Sequence, residues 1–151
     1  MVDRGSSISI CGEVERPASV GEAELRSLAQ TELVADFHCR EGWSRLGMRW
    51  RGVRLASLLE IAGATESGRY VTVGSGDYTV VLTREQAVDD RVLLALERNG
   101  AELDRSDGSP RLVGPSEWDC FQSVKSVDRI ELTSEPEQAT AATIALARIE
   151  R

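Results

Sequence analysis

Apolar residues recur along this chain at two different spacings. In several segments they alternate with polar residues, which is typical of a strand with one buried face. In the segment 32–39, for example, Leu33, Ala35, Phe37 and Cys39 share one face of the predicted strand. Alternating or β-rich runs predict strands over 6–14, 32–39, 70–74, 78–82, 111–113 and 126–133.

In other segments the apolar residues lie three or four positions apart, which predicts helices. The run 55–62 has this spacing and stops at Gly63, a residue type that commonly follows the end of a helix. The same spacing predicts a last helix over 135–151. The run 92–98 is largely apolar, so its periodicity allows either a strand or a helix.

Two shorter helices are predicted from their capping residues. The segment Ser19–Glu22 resembles a capping box ahead of a short helix through Leu28. Thr83 is expected to cap a helix over 84–88, because a threonine side chain can accept a hydrogen bond from the first helical turn.

The order of these elements predicts the fold class. Strands and short helices follow one another without the regular βαβ alternation of a parallel sheet. We therefore expect an α+β fold: a single domain with a mixed β-sheet and short helices, followed by a C-terminal helix. A length of 151 residues suits one such domain, with expected boundaries of 1–134 for the domain and 135–151 for the helical tail.

Net charge and cysteine content limit the binding partners and the cellular location that we expect for the protein. Twenty-five acidic residues against 18 basic ones give a net charge of −7, which disfavours binding to the phosphate backbone of nucleic acids. No apolar run reaches the ~18 residues that a membrane-spanning helix needs, so no such helix is expected. The cysteines Cys11, Cys39 and Cys120 form no zinc-type spacing, and the single histidine, His38, excludes a three-histidine zinc centre. Sparse cysteines favour a reduced, cytoplasmic location.

One constellation of residues is more specific than the composition. It consists of Cys39-Arg-Glu-Gly-Trp-Ser44, then Trp50-Arg-Gly-Val-Arg-Leu55, then Leu58-Leu59. This order resembles the signature of the sulfite oxidase-type molybdopterin-binding domain family. Further similarity lies in Gly12–Pro17, Pro110–Leu112 and Ser123–Ser126. The resemblance therefore extends over most of the chain.

The resemblance implies a molybdenum–molybdopterin cofactor. In that family the metal is held by two dithiolene sulfurs of the pterin and by one cysteine thiolate, and Cys39 occupies that position here, as metal ligand and as catalytic residue. Soft thiolate ligands suit such a centre. Periodicity alone also allows Cys39 to be an ordinary core cysteine. The resemblance places Ser75, Asp107, Arg111, Ser123, Val124 and Lys125 at cofactor-binding positions.

These positions have different implied roles. Arg111 and Lys125 match basic residues that approach the pterin and its phosphate, and the segment 123–125 matches one whose backbone N–H groups bind the phosphate. Ser75 matches a small hydroxyl residue near the cofactor. Asp107 departs from the family pattern, which commonly has histidine or asparagine there, and an acid would repel a phosphate or oxo group.

Tryptophans occur both inside the signature and beyond it. Trp50, within the signature, is expected to pack in the core or to form a pocket wall. Trp118 precedes Lys125 in a loop and is expected to line the mouth of a pocket.

The implied activity is that of a molybdopterin-dependent oxidoreductase, which transfers an oxygen atom to or from a small oxyanion or a sulfoxide. An electron-transfer protein is the expected second partner. Longer relatives carry further pterin contacts ahead of the first strand, and this chain is expected to lack them. That expectation and Asp107 support an alternative: a non-catalytic domain on the same fold that binds a pterin or another protein.

Overall fold

Strands outnumber short helices in the part of the chain that the structure describes. The computed structural model describes residues 7–38, 44–104, 108–116, 118, 122–137 and 139–140. The strands are β1 (Ile8–Gly12), β2 (Ala18–Val20), β3 (Thr31–His38), β4 (Ser44–Arg54), β5 (Tyr70–Ser75), β6 (Tyr78–Thr83), β7 (Leu93–Arg98), β8 (Ala101–Glu102), β9 (Arg111–Val113) and β10 (Arg129–Thr133). The helices are α1 (Glu22–Ser27), α2 (Leu55–Ala62) and α3 (Arg84–Ala87). Among the described residues the longest helix, α2, has 8 residues, whereas a membrane span takes about 20.

The described strands form two sheets. The first has the order β2-β1-β10-β5-β6, in which β1 and β10 run parallel and the other neighbours run antiparallel. The second has the order β3-β4-β7-β8, with β9 also paired to β7, and it is antiparallel throughout. The predicted α+β fold with a mixed sheet and short helices is therefore confirmed. The division into two sheets was not predicted.

The strand β7 is buried on both of its faces. Leu94 and Leu96 pack in the larger hydrophobic cluster, to which the first sheet and α2 contribute, whereas Leu93 and Ala95 pack in a smaller one. Burial on both faces removes the alternation of polar and apolar residues that identifies a strand. This is why periodicity left the run 92–98 undecided. We call the smaller group the second cluster; it consists of Met48, Trp50, Leu93, Ala95, Leu103 and Val113.

The predicted ends of two helices are confirmed. Gly63 follows α2 in the left-handed conformation, with φ of 70°, which lets the chain leave the helix. Before α3, the Oγ1 atom of Thr83 accepts a hydrogen bond from the backbone N–H of Gln86 at 3.1 Å. The side chain of Gln86 accepts one from the backbone N–H of Thr83 at 2.9 Å, which completes a capping box.

The start of α1 differs from the prediction. Ser19 lies in β2 and pairs with Ser9 in β1, and the residue ahead of the helix is Gly21. The carboxylate of Glu24 accepts a hydrogen bond from the backbone N–H of Gly21 at 3.1 Å. Pairing with β1 keeps the backbone extended through Val20, so the helix begins only after the strand has ended.

The predicted C-terminal helix is not confirmed. Residues 135–137, 139 and 140 are not helical, and the rest of the predicted helix lies outside the described residues. The backbone N–H of Thr140 donates to the carbonyl oxygen of Thr79 in β6 at 3.1 Å. The backbone N–H of Thr79 in turn donates to Oγ1 of Thr140 at 2.9 Å. Contacts with the edge of the first sheet thus engage backbone groups that a helix would use internally.

The strands β4 and β7 approach each other closely at Gly52. A Cβ atom on Gly52 would lie 2.0 Å from the carbonyl oxygen of Leu94, and the register of the two strands shifts between Arg51 and Gly52. Only a residue without a side chain fits this contact. The close approach of β4 and β7 therefore explains why the signature segment has a glycine at position 52.

We expect the Gly52→Ala substitution to destabilise the fold strongly, because the added methyl group would overlap the backbone of β7. The free energy of unfolding should fall by at least about 2 kcal/mol, measured by urea denaturation. Gly21→Ala is the matched control, since a Cβ atom there would meet only the side chain of Glu24 at 4.0 Å. Equal losses for the two variants would contradict the packing explanation.

Candidate functional site

The start of β9 and the segment 123–124 lie side by side. The backbone N–H of Leu112 donates to the carbonyl oxygen of Val124 at 2.9 Å. Nε of Arg111 donates to Oγ of Ser123 at 3.0 Å, and that hydroxyl group donates to the carbonyl oxygen of Leu112 at 2.7 Å. The structure therefore brings together three of the residues predicted for the cofactor site: Arg111, Ser123 and Val124.

The guanidinium group of Arg111 lies against the second cluster. The residue is 9% exposed, and its Cζ atom lies 5.6 Å from the ring centroid of Trp50, within the range of a cation–π contact. Arg111 pairs with Ala95 of β7, which in turn pairs with Gly52 of β4. The arginine side chain thus crosses β7 over a small residue to reach the tryptophan on β4.

A small hollow of about 10 Å³, roughly the room of one water molecule, lies beside this arrangement. Its wall is formed mainly by apolar and aromatic side chains. The lining residues are Ala35, Asp36, Trp50, Val113, Gly114, Pro115, Trp118 and Ser123. Trp50 and Ser123, which both contact Arg111, belong to this wall. The expected positions of Trp50 in a pocket wall and of Trp118 beside a pocket agree with this lining.

Three contacts hold the wall together. The backbone N–H of Asp36 in β3 donates to Oγ of Ser116 at 2.9 Å, which ties the strand to the loop after β9. The carboxylate of Asp36 accepts a hydrogen bond from the backbone N–H of Gly47 at 3.0 Å. The indole ring of Trp118 lies over Gly114, where a Cβ atom would come within 2.7 Å of the ring. Sequence reasoning did not find the roles of Asp36 and Ser116, because no local pattern marks a contact between distant segments.

Lys125 follows Ser123 by two positions in the sequence, whereas Ser75 lies on another strand of the structure. Lys125 is exposed, and its side chain packs against Gly108, where a Cβ atom would lie 2.6 Å from that of Lys125. Ser75 is half-buried at the end of β5. The carboxylate of Asp128 accepts a hydrogen bond from the backbone N–H of Gly76 at 3.3 Å, so the turn after Ser75 is tied to the segment that follows Lys125.

The remaining predicted site residues, Cys39 and Asp107, lie outside the described residues. In the sequence, Cys39 directly follows His38, the last residue of β3, and β3 contributes Ala35 and Asp36 to the wall of the hollow. The described part of the chain contains no group of three histidine, cysteine or acidic side chains that could hold a metal ion.

Cys11 is a described cysteine in a different place. It lies in β1 of the first sheet and is not part of the wall of the hollow. Burial raises the pKa of its thiol, and the neighbouring carboxylate of Glu131 raises this pKa further. The thiol therefore stays protonated at neutral pH, which makes it a weak nucleophile and a poor metal ligand.

Comparisons with known proteins support the family resemblance that was inferred from the signature residues. The family model for the oxidoreductase molybdopterin binding domain matches residues 4–141. The uncharacterized oxidoreductase YuiH of Bacillus subtilis (strain 168) is 30% identical over 131 residues, which cover 85% of this chain and 66% of YuiH. The protein-methionine-sulfoxide reductase catalytic subunit MsrP of Campylobacter jejuni is 29% identical over 152 residues, with coverage of 88% and 50%.

A solved structure shows the same fold. The sulfane dehydrogenase SoxCD from Paracoccus pantotrophus superposes with a TM-score of 0.80 at 24% identity, over 93% of this chain and 41% of that chain. The chain spans between half and two thirds of the length of the two curated relatives named above.

We expect Ser123→Ala to lower stability, because it removes the acceptor of Arg111 Nε and the donor to Leu112 in a buried place. The free energy of unfolding should fall by about 1–3 kcal/mol in urea denaturation. Ser19→Ala is the control, since that side chain is exposed on β2, and its effect should stay within about 0.5 kcal/mol. A Ser123→Ala variant as stable as the control would argue against the hydrogen-bond arrangement.

Alkylation of Cys11 should be slow in the folded protein. Iodoacetamide reacts with the thiolate, and a raised pKa reduces the thiolate fraction at pH 8. Peptide mapping by mass spectrometry should show slower modification of Cys11 in the native than in the unfolded chain. Replacing Glu131 by glutamine should speed the native reaction, and an unchanged rate would contradict the electrostatic contribution of Glu131.

Proposed function

Because this chain belongs to the oxidoreductase molybdopterin-binding domain family, we propose that it is a molybdenum-dependent oxidoreductase of the sulfite oxidase type. Its reaction would transfer an oxygen atom to or from a small oxyanion or a sulfoxide. One observation carries the proposal. Arg111, Ser123 and Val124 are joined by hydrogen bonds beside a hollow, and β3, which leads in sequence to Cys39, forms another part of its wall.

The described residues fit the anionic part of a molybdopterin. A planar guanidinium group at Arg111 and an ammonium group at Lys125 are the two kinds of cation that proteins use to bind phosphate. The chain as a whole carries a net charge of −7, so these cations do not reflect a generally basic surface.

Cys39 is the proposed ligand of the molybdenum. Cys39 lies three positions after Asp36, a residue of the wall, in the sequence. A thiolate is a ligand type that suits this metal. Cys11 is a poor candidate, because its raised pKa keeps the thiol protonated and it belongs to the first sheet.

The bound cofactor would accept or supply an oxygen atom while its metal changes by two electrons. The chain's own residues would bind and orient it: Arg111 and Lys125 at the anionic groups and Cys39 at the metal. The apolar wall, including Trp118 and Pro115, would exclude water from the hollow. An electron-transfer protein would exchange the electrons, and a cytoplasmic location, expected from the cysteine content, is part of the same proposal.

The choice between an oxyanion and a sulfoxide is open to direct measurement. Two similar proteins, from Campylobacter jejuni and Pseudomonas syringae, are named as catalytic subunits of protein-methionine-sulfoxide reductases. This supports testing a sulfoxide with a chemical reductant alongside sulfite with a chemical oxidant.

We expect Cys39→Ser to abolish molybdenum binding. The wild-type chain, produced in cells that supply the cofactor, should contain close to one molybdenum atom per chain by elemental mass spectrometry, and Cys39→Ser should contain almost none. Cys11→Ser is the matched control and should retain the metal, because that thiol lies in the first sheet.

Three results would count against the proposal or limit it. A folded wild-type chain with neither metal nor pterin, or a Cys39→Ser variant with full metal content, would refute it. A chain that retains the pterin and the metal but turns over neither sulfite nor a sulfoxide would support the non-catalytic binding domain instead.

A further inference from the structure

The Arg111 guanidinium group is held from two directions. Its Nε donates to Oγ of Ser123 at 3.0 Å, and its Cζ lies 5.6 Å from the ring centroid of Trp50. A contact with the ring restrains the tilt of the guanidinium plane, and a bond from Nε restrains rotation within that plane. The two contacts together define one orientation of the group.

The hydroxyl group of Ser123 both donates and accepts a hydrogen bond in this arrangement. Its hydroxyl proton is donated to the carbonyl oxygen of Leu112 at 2.7 Å, so an oxygen lone pair is left for Nε of Arg111. The side chain is 7% exposed. Its hydroxyl group is therefore used within the protein, and its effect on a ligand would pass through Arg111.

Trp50 and Arg111 meet because the residues between them are small. They lie on β4 and β9, which are separated by β7, so their backbones are about 10 Å apart. At the crossing point the row of paired residues is Gly52, Ala95 and Arg111. A larger side chain at position 95 would occupy the path of the arginine. The contact thus depends on three strands.

From these contacts we propose that Trp50 and Ser123 are positioning residues, which hold the Arg111 guanidinium group in one orientation for an anionic group of the pterin cofactor. This inference rests on the proposed function. A guanidinium group that is already oriented loses less side-chain freedom when it binds an anion, so the complex is tighter. Trp50 and Ser123 act through Arg111 and need no contact of their own with the cofactor.

The test measures how fast the pterin leaves the protein. Protein is purified with its cofactor and diluted, and the released pterin is quantified by fluorescence after oxidation. Trp50→Leu should release the pterin about tenfold faster than the wild type, and Trp50→Tyr, which keeps an aromatic face, should stay within about threefold. Ser123→Ala should also release it about tenfold faster.

Two controls separate positioning from general loosening. Leu103→Ala removes a buried side chain of the second cluster and should lower stability without faster release, because an aliphatic side chain offers Arg111 neither a hydrogen-bond acceptor nor an aromatic face. In an Arg111→Met background, Trp50→Leu and Ser123→Ala should have no additional effect on release, since the group they position is gone.

Each outcome decides between the explanations. Equal release from the wild type and from both single variants would overturn the positioning role while leaving the proposed function intact. The same acceleration in the Arg111→Met background, or in Leu103→Ala, would also overturn it. A wild-type chain without pterin would refute the proposed function and this inference with it. If Trp50→Leu does not fold, the cycle of Ser123→Ala with Arg111→Met decides alone.

Discussion

The close contact between β4 and β7 at Gly52 is the constraint on which the candidate site depends. With no side chain at this position, the backbone of β4 lies directly against the carbonyl oxygen of Leu94, and the register of the two strands shifts there. Gly52 also faces Ala95, so small residues lie between Trp50 and β9. The signature glycine therefore affects the site through the packing of strands and without binding a ligand itself.

A guanidinium group beside an otherwise apolar cluster has an energetic cost that the fold alone does not require. An aliphatic side chain at position 111 would complete the packing of the second cluster with less desolvation. The ring of Trp50 and the hydroxyl group of Ser123 offset part of that cost. The ring and the hydroxyl group thus hold the guanidinium group beside the hollow, where we propose that an anionic group of the cofactor binds.

Local elements were largely predictable, and the exceptions have a common cause. The hairpin of β5 and β6, the end of α2 at Gly63 and the cap at Thr83 depend on residues a few positions apart, so the local pattern was sufficient. The strand β7 was ambiguous because it is buried on both faces. The start of α1 was misplaced because pairing with β1 extends the backbone through Val20. Thr140, in the segment for which a helix was predicted, binds the edge strand β6 of the first sheet. In each case a distant segment determined the local structure.

The sequence by itself determined the family and the α+β class and predicted a set of site residues, because the order of the Cys39, Trp50 and Ser123 segments is a linear property of the chain. Only the tertiary structure decided which of the site residues contact one another. It placed Arg111 on the ring of Trp50, committed the hydroxyl group of Ser123 to that arginine, and brought Asp36 and Trp118 to the same hollow. These relations join strands that are distant in sequence, and they follow from strand register and the close approach of two backbones, which no spacing of residues along the chain encodes.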